Sequence, residues 1–176
     1  MDNNNYYALS FLTTDSKGLI SEATKVLFEN GFNLADSSST LLQGIFSMIF
    51  IVTSDKDLYE HQVQEMFKSS RFIPNVFKFK KNDIEYTGNN YSISVYGADK
   101  SGIVHAITSI LSNYDINIID LQTKVTGRHQ SKVYIMILEV VVPTNIAEDD
   151  WTTALYGKAK EIHTDVTCNK IDTYEF

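Results

Sequence analysis

Cysteine is nearly absent. Cys168 is the only one in 176 residues, which excludes an internal disulfide and a cysteine-built metal cluster. It sits in a late strand-like stretch and reads as a small half-buried residue. Proline is equally scarce at two residues and glycine numbers eight, so the chain is neither collagen-like nor low-complexity. No apolar run reaches the roughly eighteen residues of a membrane span. The opening residues Met1 to Asn5 lack the basic and apolar regions of a secretory signal, so a cytoplasmic protein is expected. Positive charge is also short: 15 Lys and Arg face 22 Asp and Glu, for a net charge of −7. That balance argues against direct binding of nucleic acid, which depends on neutralising phosphates. Lys78, Lys80 and Lys81 form the one basic cluster, on an apolar strand pattern, and read as protection of a sheet edge. What is plentiful is aromatic: ten Tyr and ten Phe supply much of a core.

The chain repeats itself at an offset of 84 positions. Asp15 answers to Asp99, Gly18 to Gly102, Asn33 to Asn117 and Asp36 to Asp120. Tyr7/Tyr91, Ser10/Ser94, Thr24/Thr108 and Leu27/Leu111 keep the same spacing, and no gap is needed from Tyr7 to Leu41. The period is that of a small domain, so the expectation is two related domains, 1–82 and 91–176, joined by a polar linker at 83–90. A unit this small buries only about 60% of its unfolded surface and leans on a neighbour.

Each repeat opens with a strand pattern, Tyr7 to Thr13 and Tyr91 to Gly97, followed by a loop and a helical period. In the helices Leu19, Ile20, Ala23, Val26 and Leu27 match Ile103, Val104, Ile107, Ile110 and Leu111. Gly31 closes the first helix, and Asn113 to Asp115 close the second. Two strands follow in each half: 33–42 and 45–53, turning at Gln43-Gly44, then 117–126 and 132–142. A second helix is expected at 56–69, with a counterpart at 146–161 capped by Thr144 or Asn145. Asp149 and Asp150, beside Trp151, suit the start of that helix. Last strands at 75–81 and 163–173 complete βαββαβ twice, an α+β fold. Ile45 to Val52 and Val133 to Val142 are apolar on both faces, so the open sheet faces are expected to be covered by the sister domain or a second chain, making a homodimer.

The loops are the candidate sites. A helix's first turn offers unpaired N–H groups and partial positive charge, which suit a carboxylate. Gly18 and Gly102 allow close approach. Asp15 and Asp99, or the side-chain amides of Asn33 and Asn117, could accept from an ammonium group. An amino acid carries both charges. The alternative is purely local, with Asp15, Ser16, Asp99 or Ser101 acting only as helix caps.

A βαββαβ unit with D-x-x-G after its first strand and N-[LI]-x-D opening its second resembles the ACT domain, a ferredoxin-like module that senses amino acids. Here the motifs are DSKG with NLAD, and DKSG with NIID. Two such domains without an attached enzyme resemble the glycine cleavage system transcriptional repressor family. That resemblance implies a non-catalytic regulator that binds an amino acid such as glycine or serine and contacts a protein partner, a DNA-binding regulator, instead of DNA. It implies a ligand-binding set of Asp15, Lys17, Gly18, Leu19 and Asn33, with Asp99, Ser101, Gly102, Ile103 and Asn117. Both loops depart from the family by lacking a proline before the glycine, having Lys17 and Ser101, which implies a looser loop. Other readings are an assembly module with vestigial sites, or a detached regulatory subunit of an amino-acid or folate pathway enzyme. His61, His105, His129 and His163 show no metal-ligand spacing, no nucleophile–base set stands out, and no cofactor is expected. His105, three residues after Gly102, reads as a surface residue near the second loop.

Overall fold

A computed structural model describes residues 5–80, 87–127 and 132–171. The chain divides into two compact units, Met1–Asp83 and Ile84–Phe176. The first holds β1 (Asn5–Thr14), α1 (Leu19–Glu29), β2 (Asn33–Leu42), β3 (Ile45–Ser54), α2 (Glu60–Glu65) and β4 (Asn75–Phe79). The second holds β5 (Asn89–Ala98), α3 (Ile103–Asn113), β6 (Asn117–Thr126), β7 (Val133–Val142), α4 (Glu148–Glu161) and β8 (Thr164–Ile171). The sheets run β2-β3-β1-β4 and β6-β7-β5-β8, with every neighbouring pair antiparallel. This is the expected α+β pattern, βαββαβ twice. β5 starts two residues before Tyr91 and takes in Asn89 and Asn90.

Alternation along the central strands sets the cores. Tyr7, Leu9 and Phe11 face inward from β1 and meet Leu19, Ala23 and Leu27 of α1 and Met48, Phe50 and Val52 of β3. In the second unit Tyr91, Ile93 and Val95 meet Ile103, Ile107 and Leu111. Only these i, i+4, i+8 positions of each helix are buried; Ile20 and Val104 of the predicted apolar periods are exposed. The apolar runs on β3 and β7 also split by face. Met48, Phe50 and Val52 are buried while Ile45 and Ile49 are exposed, and Met136 and Leu138 are buried while Val133 and Ile137 are exposed.

Both first helices end in the same six-residue hydrogen-bonded cap. Phe32 N–H donates to the Leu27 carbonyl (3.0 Å) and Gly31 N–H to that of Phe28 (3.1 Å). Ile116 and Asp115 do the same to Leu111 (3.0 Å) and Ser112 (3.1 Å). The left-handed residue is Gly31 (φ 79°) in one and Asp115 (φ 52°) in the other. The repeated N-[LI]-x-D stretch marks a β-bulge: register skips Ala35 between Leu34 and Asp36, and Ile119 between Ile118 and Asp120.

Three expectations are corrected. The helix expected at 56–69 is regular only over Glu60–Glu65, because the Tyr7 hydroxyl accepts from Leu58 N–H (2.8 Å) and holds residues 56–58 out of helical form. Turns of i+3 type then carry the chain through Ser70. Neither Thr144 nor Asn145 caps α4, whose N-cap is Ala147; Glu148, Asp149 and Asp150 supply the negative charge of its first turn. The last strands are shorter than expected, since β4 ends at Phe79 and β8 begins at Thr164, after His163 turns the chain at φ 60°. Residues 81, 172 and 173, placed in those strands from sequence, lie outside the described residues, as do His129 and most of the hairpin loop that the sequence places at 127–131. β4 is an edge strand, and its Lys78 ammonium is held by the Asp57 carboxylate and the Leu58 carbonyl.

Candidate functional site

The repeated loops put a glycine at the head of a helix in each unit. Gly18 precedes α1 at φ 86° and Gly102 precedes α3 at φ 91°, a left-handed backbone that strains any other residue. The first helical bonds run from Glu22 N–H to the Gly18 carbonyl and from Ala106 N–H to the Gly102 carbonyl, each 2.9 Å. Among the described residues no side chain accepts from the N–H groups of either first turn. Asp15, Ser16, Asp99 and Ser101 therefore do not serve as helix caps, and the donors that suit a carboxylate are free. Leu19 and Ile103 anchor the helix starts in the cores, and the other loop residues are exposed.

The two loops differ in what lies over them. Arg71, from the connection between α2 and β4, reaches the first loop. Its guanidinium donates from Nη1 to Ser16 Oγ (2.9 Å), from Nη2 to the Lys17 carbonyl (3.4 Å) and from Nε to Glu22 Oε2 (2.6 Å). Arg71 N–H adds a bond to Glu22 Oε1 (2.8 Å). These bonds, the backbone one foremost, hold the Glu22 carboxyl below the usual carboxylate range. A methyl group on Gly18 would sit 3.7 Å from the guanidinium, whereas one on Gly102 would meet nothing within 4 Å.

Among the described residues the second loop has no such pair. At the same offset of 84, Ala106 replaces Glu22. Counting back from the residues opposite the equivalent Ser10 and Ser94, which are Asn75 and Thr167, the position of Arg71 falls to His163. Its Nδ1 lies 3.0 Å from the Glu161 carbonyl. Tyr134 lies at this loop instead, paired with Gly97 just before it and packed in the same cluster as Ile103. Its side chain is 9% exposed, and its buried hydroxyl has no hydrogen-bond partner among the described residues. The Thr123 side chain pulls the phenol's pKa down against the larger effect of burial. Burial, and then the Asp99 carboxylate, push the phenol's pKa up. A polar group sealed without a partner costs about 1–3 kcal/mol. The equivalent residue of the first unit is Phe46, with no hydroxyl.

Asn33 and Asn117 do not join the loops of their own units. Asn33 pairs with Thr53, which pairs with Tyr6, whereas the first loop follows Thr14 at the far end of β1. Eight strand residues separate those levels, about 26 Å at 3.3 Å each. Asn117 stands in the same relation, level with Asn90 through Val141. Within a unit, only the aspartates, glycines and flanking loop residues come together. His105 is exposed, with its Nδ1 3.3 Å from Ser109 Oγ. Arg71, Glu22 and Tyr134 were not among the sequence candidates; a missing Glu at position 106 was the visible trace.

Residues 91–149 match the family model described as the ACT domain. That match lies within the second unit and spans 59 of the 176 residues, and the first unit repeats the second's order of elements, so the class is one of fold: two ferredoxin-like, ACT-like α+β domains in tandem. The chain is similar over nearly its whole length to an unknown protein from Galdieria sulphuraria, at TM-score 0.83 and 21% identity, covering 96% of this chain and 99% of that one. It is similar also to a protein provisionally described as a glycine cleavage system transcriptional repressor, at TM-score 0.72 and 13% identity, covering 97% and 99%. At these identities the likeness is one of fold. A UPF0237 protein of Methanosarcina mazei is 28% identical over 92 residues, which are 51% of this chain and 95% of that protein. Among the described residues no helix is long and apolar enough to cross a membrane.

Proposed function

We propose that the protein is a non-catalytic regulator that senses a free amino acid, glycine or serine among the candidates, at a D-x-x-G loop. The observation that carries this reading is the pair of glycine-headed helices whose first-turn N–H groups have no side-chain acceptor, each beside an exposed aspartate. A ligand carboxylate fits the donors and its ammonium fits the aspartate. A ligand that prefers one arrangement of the protein over another shifts the population between them, which is what a sensor requires. The separation of Asn33 and Asn117 from the loops fits a ligand held against a second chain of a homodimer. The output is altered contact with a protein partner. The name given to the structurally similar repressor supports a transcription factor in that role, and the acidic charge of −7 agrees with contact through protein, not DNA. The cytoplasm is the compartment that fits such a sensor.

The test is melting temperature against a panel of amino acids at millimolar concentration. A ligand at a hundredfold its Kd stabilises by about 2.7 kcal/mol, which is readily seen. A selective shift that Asp99→Ala removes supports the reading; a flat panel sinks it. An assembly module is the second reading, favoured by β2, whose ten residues are all exposed on a sheet edge, and by exposed Leu12, Ile49 and Phe77. It gains if the panel is flat and the protein sediments as a stable oligomer.

A further inference from the structure

We propose that the two loops have divided their work: Arg71, anchored on Glu22, ties down and covers the first loop, and the second loop, with Tyr134 paired to Gly97 just before it, is the ligand seat. This rests on the amino-acid reading above and names which of the two sites is live.

An amino acid brings an anion and a cation a short distance apart. The first loop already has both. The Glu22 carboxylate stands in the first turn of α1, where it offsets the positive end of the helix. The guanidinium beside it donates to the loop at Ser16 and Lys17. Arg71 thus ties Ser16 and Lys17 together beside Asp15, and it lies over the face of Gly18 through which a ligand would approach. Arginine suits this task because its fork bonds several acceptors at once while staying charged.

The second loop lacks each of these features. Its first helical turn holds no acidic residue, and the space beside Gly102 is open. What it has is an unmet requirement: the Tyr134 hydroxyl is buried, unpartnered among the described residues, and close enough to feel the Asp99 charge. A ligand polar group that reaches this hydroxyl as the loop adjusts makes a hydrogen bond that the unliganded protein lacks. Phe46 offers nothing comparable in the first unit.

The experiment is a nitrogen-15 NMR titration of the full chain with glycine and L-serine, then with each remaining natural amino acid. Wild type is compared with Arg71→Ala and Tyr134→Phe. The amides of Ser101, Gly102 and Ile103 are expected to shift saturably, and those of Gly18 and Leu19 to stay put. Tyr134→Phe is expected to weaken binding on the order of 3–10-fold without lowering the melting temperature. Arg71→Ala is expected to speed hydrogen exchange at Gly18 and Leu19 and bring them into the titration. Saturable shifts at Gly18 and Leu19 in the wild type would overturn the division while leaving amino-acid sensing intact. So would unchanged first-loop exchange in Arg71→Ala. Silence of both loops toward every amino acid overturns the sensing reading and the second-loop seat together.

Discussion

The first and second units share a frame and fill it differently. From β1 through β2 and from β5 through β6 the offset of 84 holds residue for residue, down to the left-handed glycine, the helix-ending cap and the bulge. Beyond that point they part. The first unit packs aromatic rings edge to face, with Phe11 at 5.7, 5.4 and 5.2 Å from Phe50, Phe67 and Phe72. The second packs aliphatic side chains under Trp151, which stands edge-on to Tyr91 at 5.2 Å from a 14-residue helix. The repeated half builds the loop, and the divergent half decides what reaches it. Arg71 comes from that divergent half. A repeated motif therefore reports shared architecture, and the use of each copy must be read from its surroundings.

Equivalent positions make the comparison breakable. The largest effect is expected at Phe11 and its counterpart Val95, both fully or almost fully buried. Phe11→Ala removes a ring touching three others and should cost about 3–5 kcal/mol. Val95→Ala should cost about 1.5–3 kcal/mol. Denaturant midpoints check both, and equal losses would show that the aromatic cluster carries no special weight.

Tyr7 and Tyr91 come next, since one repeated tyrosine does two jobs. The Tyr7 hydroxyl accepts from Leu58 N–H and lies 3.2 and 3.1 Å from the Lys56 and Leu58 carbonyls. Tyr91 donates to Glu148 Oε2 at 2.7 Å. Tyr7→Phe strands part-buried backbone groups and should cost about 1–3 kcal/mol, whereas Tyr91→Phe frees an exposed carboxylate to rehydrate and should cost about 1 kcal/mol. Burial first and Glu148 second push the Tyr91 phenol up to about 12 from 10.0. A raised pKa gives stability that is whole below pH 10 and lost as pH climbs toward 12. Tyr91→Phe should remove that alkaline sensitivity, as read from melting temperature between pH 9 and 12.

A smaller effect follows at the helix ends. Asp115 holds a left-handed conformation that its counterpart Gly31 adopts without strain. Asp115→Gly should stabilise by about 0.5 kcal/mol, less than the full strain because glycine also frees the unfolded chain. Gly31→Asp should destabilise by a like amount. Opposite signs in the two denaturation curves are the expected result.

Much of this frame was legible from sequence because it is local or periodic. The bounds of β2 and β6, the Gln43-Gly44 turn (both residues at positive φ) and the Gly31 cap all follow from neighbouring residues. What was not legible spans the chain. The Tyr7 hydroxyl that shortens α2 acts across 51 residues, and Arg71 reaches Glu22 across 49. The loops were found, but what covers them was not, since an ion pair between distant residues leaves no period. That Asn33 stands away from the loop of its own unit was not legible for a related reason. Its motif repeats as faithfully as the loop's, yet the repeat there marks the strand bulge at the opposite end of the sheet.

The subtlest difference is one of pH, and it separates the loops most directly. The Glu22 carboxyl is held below its ordinary value of 4.5 by bonds from Arg71. A lowered acid pKa means the folded state binds the proton less readily than the unfolded one. The stabilisation is therefore complete above pH 4.5 and disappears as pH falls through the folded value. Arg71 is exposed and Glu22 partly so, so water and salt weaken the pair and the global melting temperature should move little. The local effect should still be plain. As acid protonates Glu22, the Arg71 side chain should lose its restraint and Gly18 should exchange faster, while Gly102, facing Ala106, should show no matching step. Glu22→Gln should abolish the step at Gly18 and leave Gly102 as it was. An identical acid response at both glycines would mean that the ion pair does not hold the first loop, and the contrast between the two units would then lie in the Tyr134 hydroxyl alone.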